Sequence, residues 1–103
     1  MKILVKEPQK DLYVKEISDN LFKSMNEINH MIGGYFEILP LSSKYIIIFN
    51  EESEHLNLPK NAYSRFGILH GTLIFAQRNS EDICNITDMD ELIKLINEKM
   101  EFI

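Results

Sequence analysis

Tyr45-Ile46-Ile47-Ile48-Phe49 narrows the possible folds of this chain more than any other segment. Five apolar residues in succession are far too few to cross a bilayer. β-branched and aromatic side chains without a polar break instead predict a strand in the middle of a sheet. Polar punctuation bounds the run, with Pro40 and Ser42-Ser43-Lys44 before it and Asn50-Glu51-Glu52 after it.

The neighbouring segments supply the rest of that sheet. Lys2 to Glu7 and Leu12 to Ile17 read as two strands that can pair as a hairpin across Pro8-Gln9-Lys10-Asp11. The charge at Lys6 and the proline that follows make the N-terminus a strand and not an export signal. Tyr35 to Leu39 reads as a third strand, closed by Pro40, and Ile68 to Gln77 as a later one, interrupted by Gly71. A lone glycine within a strand marks a bulge or a close backbone approach. Arg78-Asn79-Ser80-Glu81-Asp82 reads as a turn, and Ile83 to Ile86 as a short edge strand.

Two helices are predicted. Leu21, Phe22, Met25, Ile28 and Ile32 recur at three- and four-residue spacing, after a capping group from Ser18, Asp19 or Asn20 and before Gly33-Gly34. Met89, Leu92, Ile93, Ile96 and Met100 make a second stripe, opened by the capping-box shape Thr87-Asp88-Met89-Asp90. Between the aliphatic strand and the Gly71 strand, residues 50–65 read as a long polar loop, and long loops in compact domains are often functional. The expectation is one α+β domain over residues 1–103: a mainly antiparallel sheet of about five or six strands, with the two main helices packed on one face.

Composition bounds the function. At 103 residues and 45% hydrophobic content, the chain can bury a modest core without covalent staples. Cys84 is the only cysteine, which points to a reducing cytoplasm. No segment suits a membrane. The formal net charge of -5 argues against direct nucleic-acid binding, where Lys and Arg must neutralise phosphates. No cofactor and no metal site is expected.

Each residue that carries chemistry has a plainer role beside it. Glu51, Glu52 and Glu54 lack the ligand spacing of a cation loop and read as a solvated acidic run. Gly33-Gly34 reads as a helix stop rather than an anion nest. His30 suits a helix C-terminus and His55 a polar loop, while His70, beside Gly71, is the histidine to test. Cys84 between apolar neighbours reads as a small core residue. No catalytic residue is assigned. Tyr35, Glu37, Asn50, Glu51, Asn61, Tyr63, Arg65 and His70 form the candidate ligand- or partner-binding set. They sit at strand ends or in the long loop, and they include the aromatic and arginine types favoured at binding hot spots. Packing, turn closure and pairing of Arg65 with a loop glutamate are the competing structural roles.

Gly33-Gly34-Tyr35-Phe36-Glu37-Ile38-Leu39-Pro40-Leu41 begins a series of matches to a known pattern. Asn50-Glu51-Glu52, Leu58-Pro59-Lys60-Asn61, Gly71-Thr72-Leu73-Ile74 and Ile86-Thr87-Asp88 continue it in order. Together they resemble the domain of unknown function 3846 family, small proteins of phages, plasmids and integrative elements of Firmicutes. The chain departs from the family pattern at Ser53-Glu54-His55, where members often carry a glycine, and at Arg65, which follows the Asn61 segment late. The resemblance implies a setting in mobile elements, and so in the cytoplasm of a bacterial host. The expectation is a small non-catalytic binding protein, an anti-defence protein that blocks a host protein. The alternatives are a binder that sequesters a small nucleotide ligand, a small hydrolase using His70 or the loop carboxylates, and a homo-oligomeric structural subunit.

Overall fold

The aliphatic run is the strand β4 (Tyr45–Asn50), buried along its whole length in the computed structural model, which describes residues 1–80 and 82–103. Around it the chain forms β1 (Lys2–Lys6), β2 (Tyr13–Glu16), α1 (Leu21–Ile32) and β3 (Phe36–Pro40). After β4 come β5 (Lys60–Ser64), β6 (Gly67–His70), β7 (Leu73–Asn79), β8 (Asp82–Cys84), α2 (Met89–Lys99) and β9 (Glu101–Phe102). Six strands make the main sheet in the order β2-β1-β7-β4-β3, with β8 paired to the far part of β7. A smaller sheet runs β6-β5-β9, and all the pairings are antiparallel. The expected α+β class holds.

The placement of the helices differs from expectation. Ile46 and Ile48, with Ile3, Val5, Ile74 and Ala76, pack against Ile28 and Ile32 of α1. Tyr45, Ile47 and Phe49, with Leu4, Leu73 and Phe75, pack against Leu92 and Ile96 of α2 and Ala62 and Leu69 of the small sheet. The two helices therefore lie on opposite faces. A strand apolar on both faces needs cover on both, and each large aliphatic side chain buried there contributes about 1.5–3 kcal/mol.

The start of α1 matches the pattern read in the sequence, and that of α2 shifts by one residue. α1 begins where the Asn20 side chain accepts from the Lys23 N–H, and ends at Gly33, whose φ of 81° suits glycine. Its buried positions are Ser24, Ile28 and Ile32, whereas Leu21 and Phe22 point to solvent, Phe22 being 77% exposed. Ser24 can be buried because its hydroxyl donates to the Leu21 carbonyl. α2 is capped by Asp88, one residue after Thr87, with its carboxylate accepting from the Glu91 N–H. Thr87 instead donates both its N–H and its hydroxyl to the Gln77 side chain.

The long loop is also shorter than expected. Turns occupy Glu51 to Asn57, and Lys60–Ser64 is the strand β5, which holds its place by burying Asn61 and Ala62. The strand expected from Ile68 to Gln77 is two strands in two different sheets. The chain changes sheet at Gly71, where φ is 77° and an added Cβ would lie 2.9 Å from Leu58 Cδ1. Of the turn expected over residues 78–82, Glu81 lies outside the described residues.

Candidate functional site

A cleft of about 830 Å³ lies on one face of β3 and β4, between them, the turns over residues 51–57 and the β5–β6 hairpin. Its floor is Leu39, Phe49, Ile68 and Leu69, with Phe66 at the hairpin side. Glu37, Glu51 and Glu54 line it together with Ser53 and His55. No lysine or arginine lines it, and none of the three carboxylates forms an ion pair among the described residues.

Local hydrogen bonding fixes each wall. Glu37 and Leu39 share one face of β3, because successive side chains alternate across a strand. Glu51 is held where β4 ends, its N–H donating to the Tyr35 carbonyl at 3.0 Å. The following turns close on themselves through Ser53 N–H to Asn50 O, Leu56 N–H to Glu52 O and Leu58 N–H to Ser53 O. Asn50 anchors this segment from beneath. Its Nδ2 donates to the Ile32 carbonyl at the end of α1, and its Oδ1 accepts from the Glu52 N–H. The hairpin turn is tied down by Arg65, whose Nη2 donates to the Pro40 carbonyl at 2.9 Å while its guanidinium stacks over the Phe66 ring.

The eight candidates from the sequence separate into distinct places. Glu37 and Glu51 line the cleft. Tyr35, 77% exposed, directly precedes β3, and Arg65 braces the hairpin against the end of that strand. Asn50 is buried and serves the turn. Tyr63 lies elsewhere, opposite Glu101 of β9, lining a hollow with Asn97 to Glu101. His70 is half-buried, its Nδ1 2.9 Å from the Leu58 carbonyl, and it holds the incoming segment of β5.

Asn61 is fully buried at the junction of the two sheets. Its Nδ2 donates to the Lys6 and Gly71 carbonyls, both at 2.8 Å, and its Oδ1 accepts from Lys6 Nζ at 3.3 Å. Lys6 also donates to the Glu7 carbonyl and lies over the Phe102 ring. Desolvation is the main cause that pulls its ammonium below the ordinary lysine range, against the attraction of Asp11. The side-chain polar groups of Asn61 and Lys6 find partners inside the protein, and so they join the sheets.

The sequence reading missed Phe66, Ser53 and His55 as cleft residues and treated Glu54 as solvated. The acidic run was visible, but only the turns over residues 51–57 bring it opposite Glu37. Among the described residues, no three His, Cys, Asp or Glu side chains are grouped so as to hold a metal ion. No helix is long and apolar enough to cross a membrane. What the cleft offers chemically is negative potential above an apolar floor, which attracts cations with apolar parts and repels phosphates.

A family model described as Domain of unknown function (DUF3846) matches residues 1–97. No curated protein and no solved structure matches the chain.

Proposed function

The chain belongs to the DUF3846 family, and from that premise we propose that it is a non-catalytic binding protein of a phage or other mobile element, acting on a host protein through the acidic cleft. The observation that carries this reading is the cleft's composition: Glu37, Glu51 and Glu54, with no ion-pair partner among the described residues, over Leu39, Phe49, Ile68 and Leu69. Unpaired carboxylates around an apolar floor suit a basic, partly apolar surface of another protein, and such complementarity speeds encounter and sets partner choice. Blocking a host defence protein is the role that fits small accessory proteins of mobile elements. The nucleotide-sequestering alternative has less support, because phosphates are repelled by these carboxylates and Arg65 is engaged with Pro40 and Phe66.

The test compares partners retained from bacterial host lysate by the tagged protein and by its Glu37→Gln/Glu51→Gln/Glu54→Gln variant. The expected result is a host protein retained by the first, released by moderate salt and lost from the second. An identical retained set for both proteins overturns the reading.

A further inference from the structure

β3 ends the main sheet and, among the described strands, pairs with β4 alone. The direction of its backbone groups follows from two flanking bonds. Glu51 donates to the Tyr35 carbonyl, and Leu41 donates to the Tyr45 carbonyl. In an antiparallel pair, residues alternate between those bonded to the neighbour and those facing away. Tyr35, Glu37, Leu39 and Leu41 thus face β4, and Phe36, Ile38 and Pro40 turn their backbone groups outward. Pro40 has no N–H, and its carbonyl already accepts from Arg65. The open part of the edge is therefore Phe36 and Ile38, immediately beside the cleft-lining side chains of Glu37 and Leu39.

We propose that this edge takes an extended, basic segment of a partner protein as an added strand, with its cationic side chains in the cleft. The inference rests on the reading of the cleft as a protein-binding site and names the form of what enters it. An added strand places every second side chain on the cleft face, opposite Glu37 and over Leu39. There an arginine or lysine meets Glu37, Glu51 and Glu54. The intervening side chains fall on the other face, beside Ile38, which is 44% exposed and suits an aliphatic neighbour. Alternating basic and aliphatic residues are the pattern that satisfies both faces. Pro40 and Arg65 stop the pairing at one end, so the added strand is short and its register is defined.

Two synthetic peptides, alternating Lys-Val and alternating Arg-Ile, serve as probes in an amide NMR titration of the full chain. The expected result is binding that shifts the Phe36 and Ile38 amides and slows their hydrogen exchange. Ile38→Pro removes an outward N–H that no described strand uses, a change edge strands tolerate. It should weaken peptide binding about tenfold, the effect of one lost hydrogen bond with its geometry. Its thermal midpoint reports whether the fold persists. Should Ile38→Pro unfold the chain, a peptide N-methylated at alternate residues replaces it and should bind about tenfold more weakly than its parent. If the backbone-altered pair binds as well as the parent pair while the triple glutamine variant does not, strand addition is overturned and the cleft reading stands. If neither peptide binds at up to about 1 mM, strand addition is likewise overturned, and the lysate comparison alone decides the cleft.

Discussion

The acidic cleft and the junction around Lys6 are both built from charged and polar side chains, and they handle charge in opposite ways. At the junction, Asn61 uses both ends of its amide, and the Lys6 ammonium meets two oxygens and an aromatic ring. In the cleft, Glu37, Glu51 and Glu54 stand open, with no ion-pair partner among the described residues. Polar groups that close on one another inside the protein are architecture. Charges gathered around a hollow and left without counter-charge contribute no such closure, and on the proposed reading their place is that of a basic partner.

The comparison breaks most visibly at Asn61. Asn61→Ala strands the Lys6 and Gly71 carbonyls and removes an acceptor from Lys6. A loss of about 3 kcal/mol is expected, from several bonds and buried groups left unpaired. Urea unfolding checks it, and a loss below about 1 kcal/mol would mean that water replaces the amide.

A smaller effect is expected from the contact that ties α2 to β4. Glu91 accepts from Lys44 at 2.9 Å and from the Tyr45 hydroxyl at 2.8 Å. The Lys44 ammonium first, and the Tyr45 phenol second, hold its carboxyl below the ordinary value of 4.5. A group with a depressed folded value contributes stability that is present above its unfolded value and lost as pH falls through the folded one. Thermal midpoints should therefore drop less steeply in acid, below pH 4.5, for Glu91→Gln than for the parent. Equal slopes would show that the pair is screened by solvent.

The smallest effect sharpens the contrast. The triple glutamine variant of the cleft should unfold at the same urea concentration as the parent or slightly higher, since like charges are relieved. A clear drop would make the cleft carboxylates architectural after all, and would remove the ground for assigning them to a partner.

Much of the main sheet was legible in the sequence because its signals are local. The apolar run of β4, the helix stop at Gly33 and the N-terminal hairpin each depend on a few adjacent residues. The small sheet was not legible. β5 is nearly all polar and holds its place through Asn61 and Ala62, so its periodicity is hidden. β9 is two residues long and depends on a partner strand some forty positions away, Tyr63 pairing with Glu101. The helices' opposite placement was implicit in the two-sided β4, yet each stripe alone carries no information about which face it covers. For the cleft, Glu37 and Glu51 were singled out, while Asn61 was chosen as a surface group and lies fully buried. A side-chain amide reads alike whether it meets water or three groups of its own backbone and core.

The change of sheet at Gly71 has a mechanical consequence. Only Gly71 and Thr72 separate β6 in the small sheet from β7, which lies between β1 and β4 in the large one. The step has no slack, being pinned by the Gly71 N–H to the Pro59 carbonyl at 2.7 Å and by Leu58 against the glycine. A load applied to the hairpin wall of the cleft passes straight into β7, which is held by antiparallel ladders to β1, β4 and β8. The hairpin wall of the cleft is thus coupled directly to the main sheet, and a partner bound there as proposed would meet a stiff jaw rather than a compliant flap.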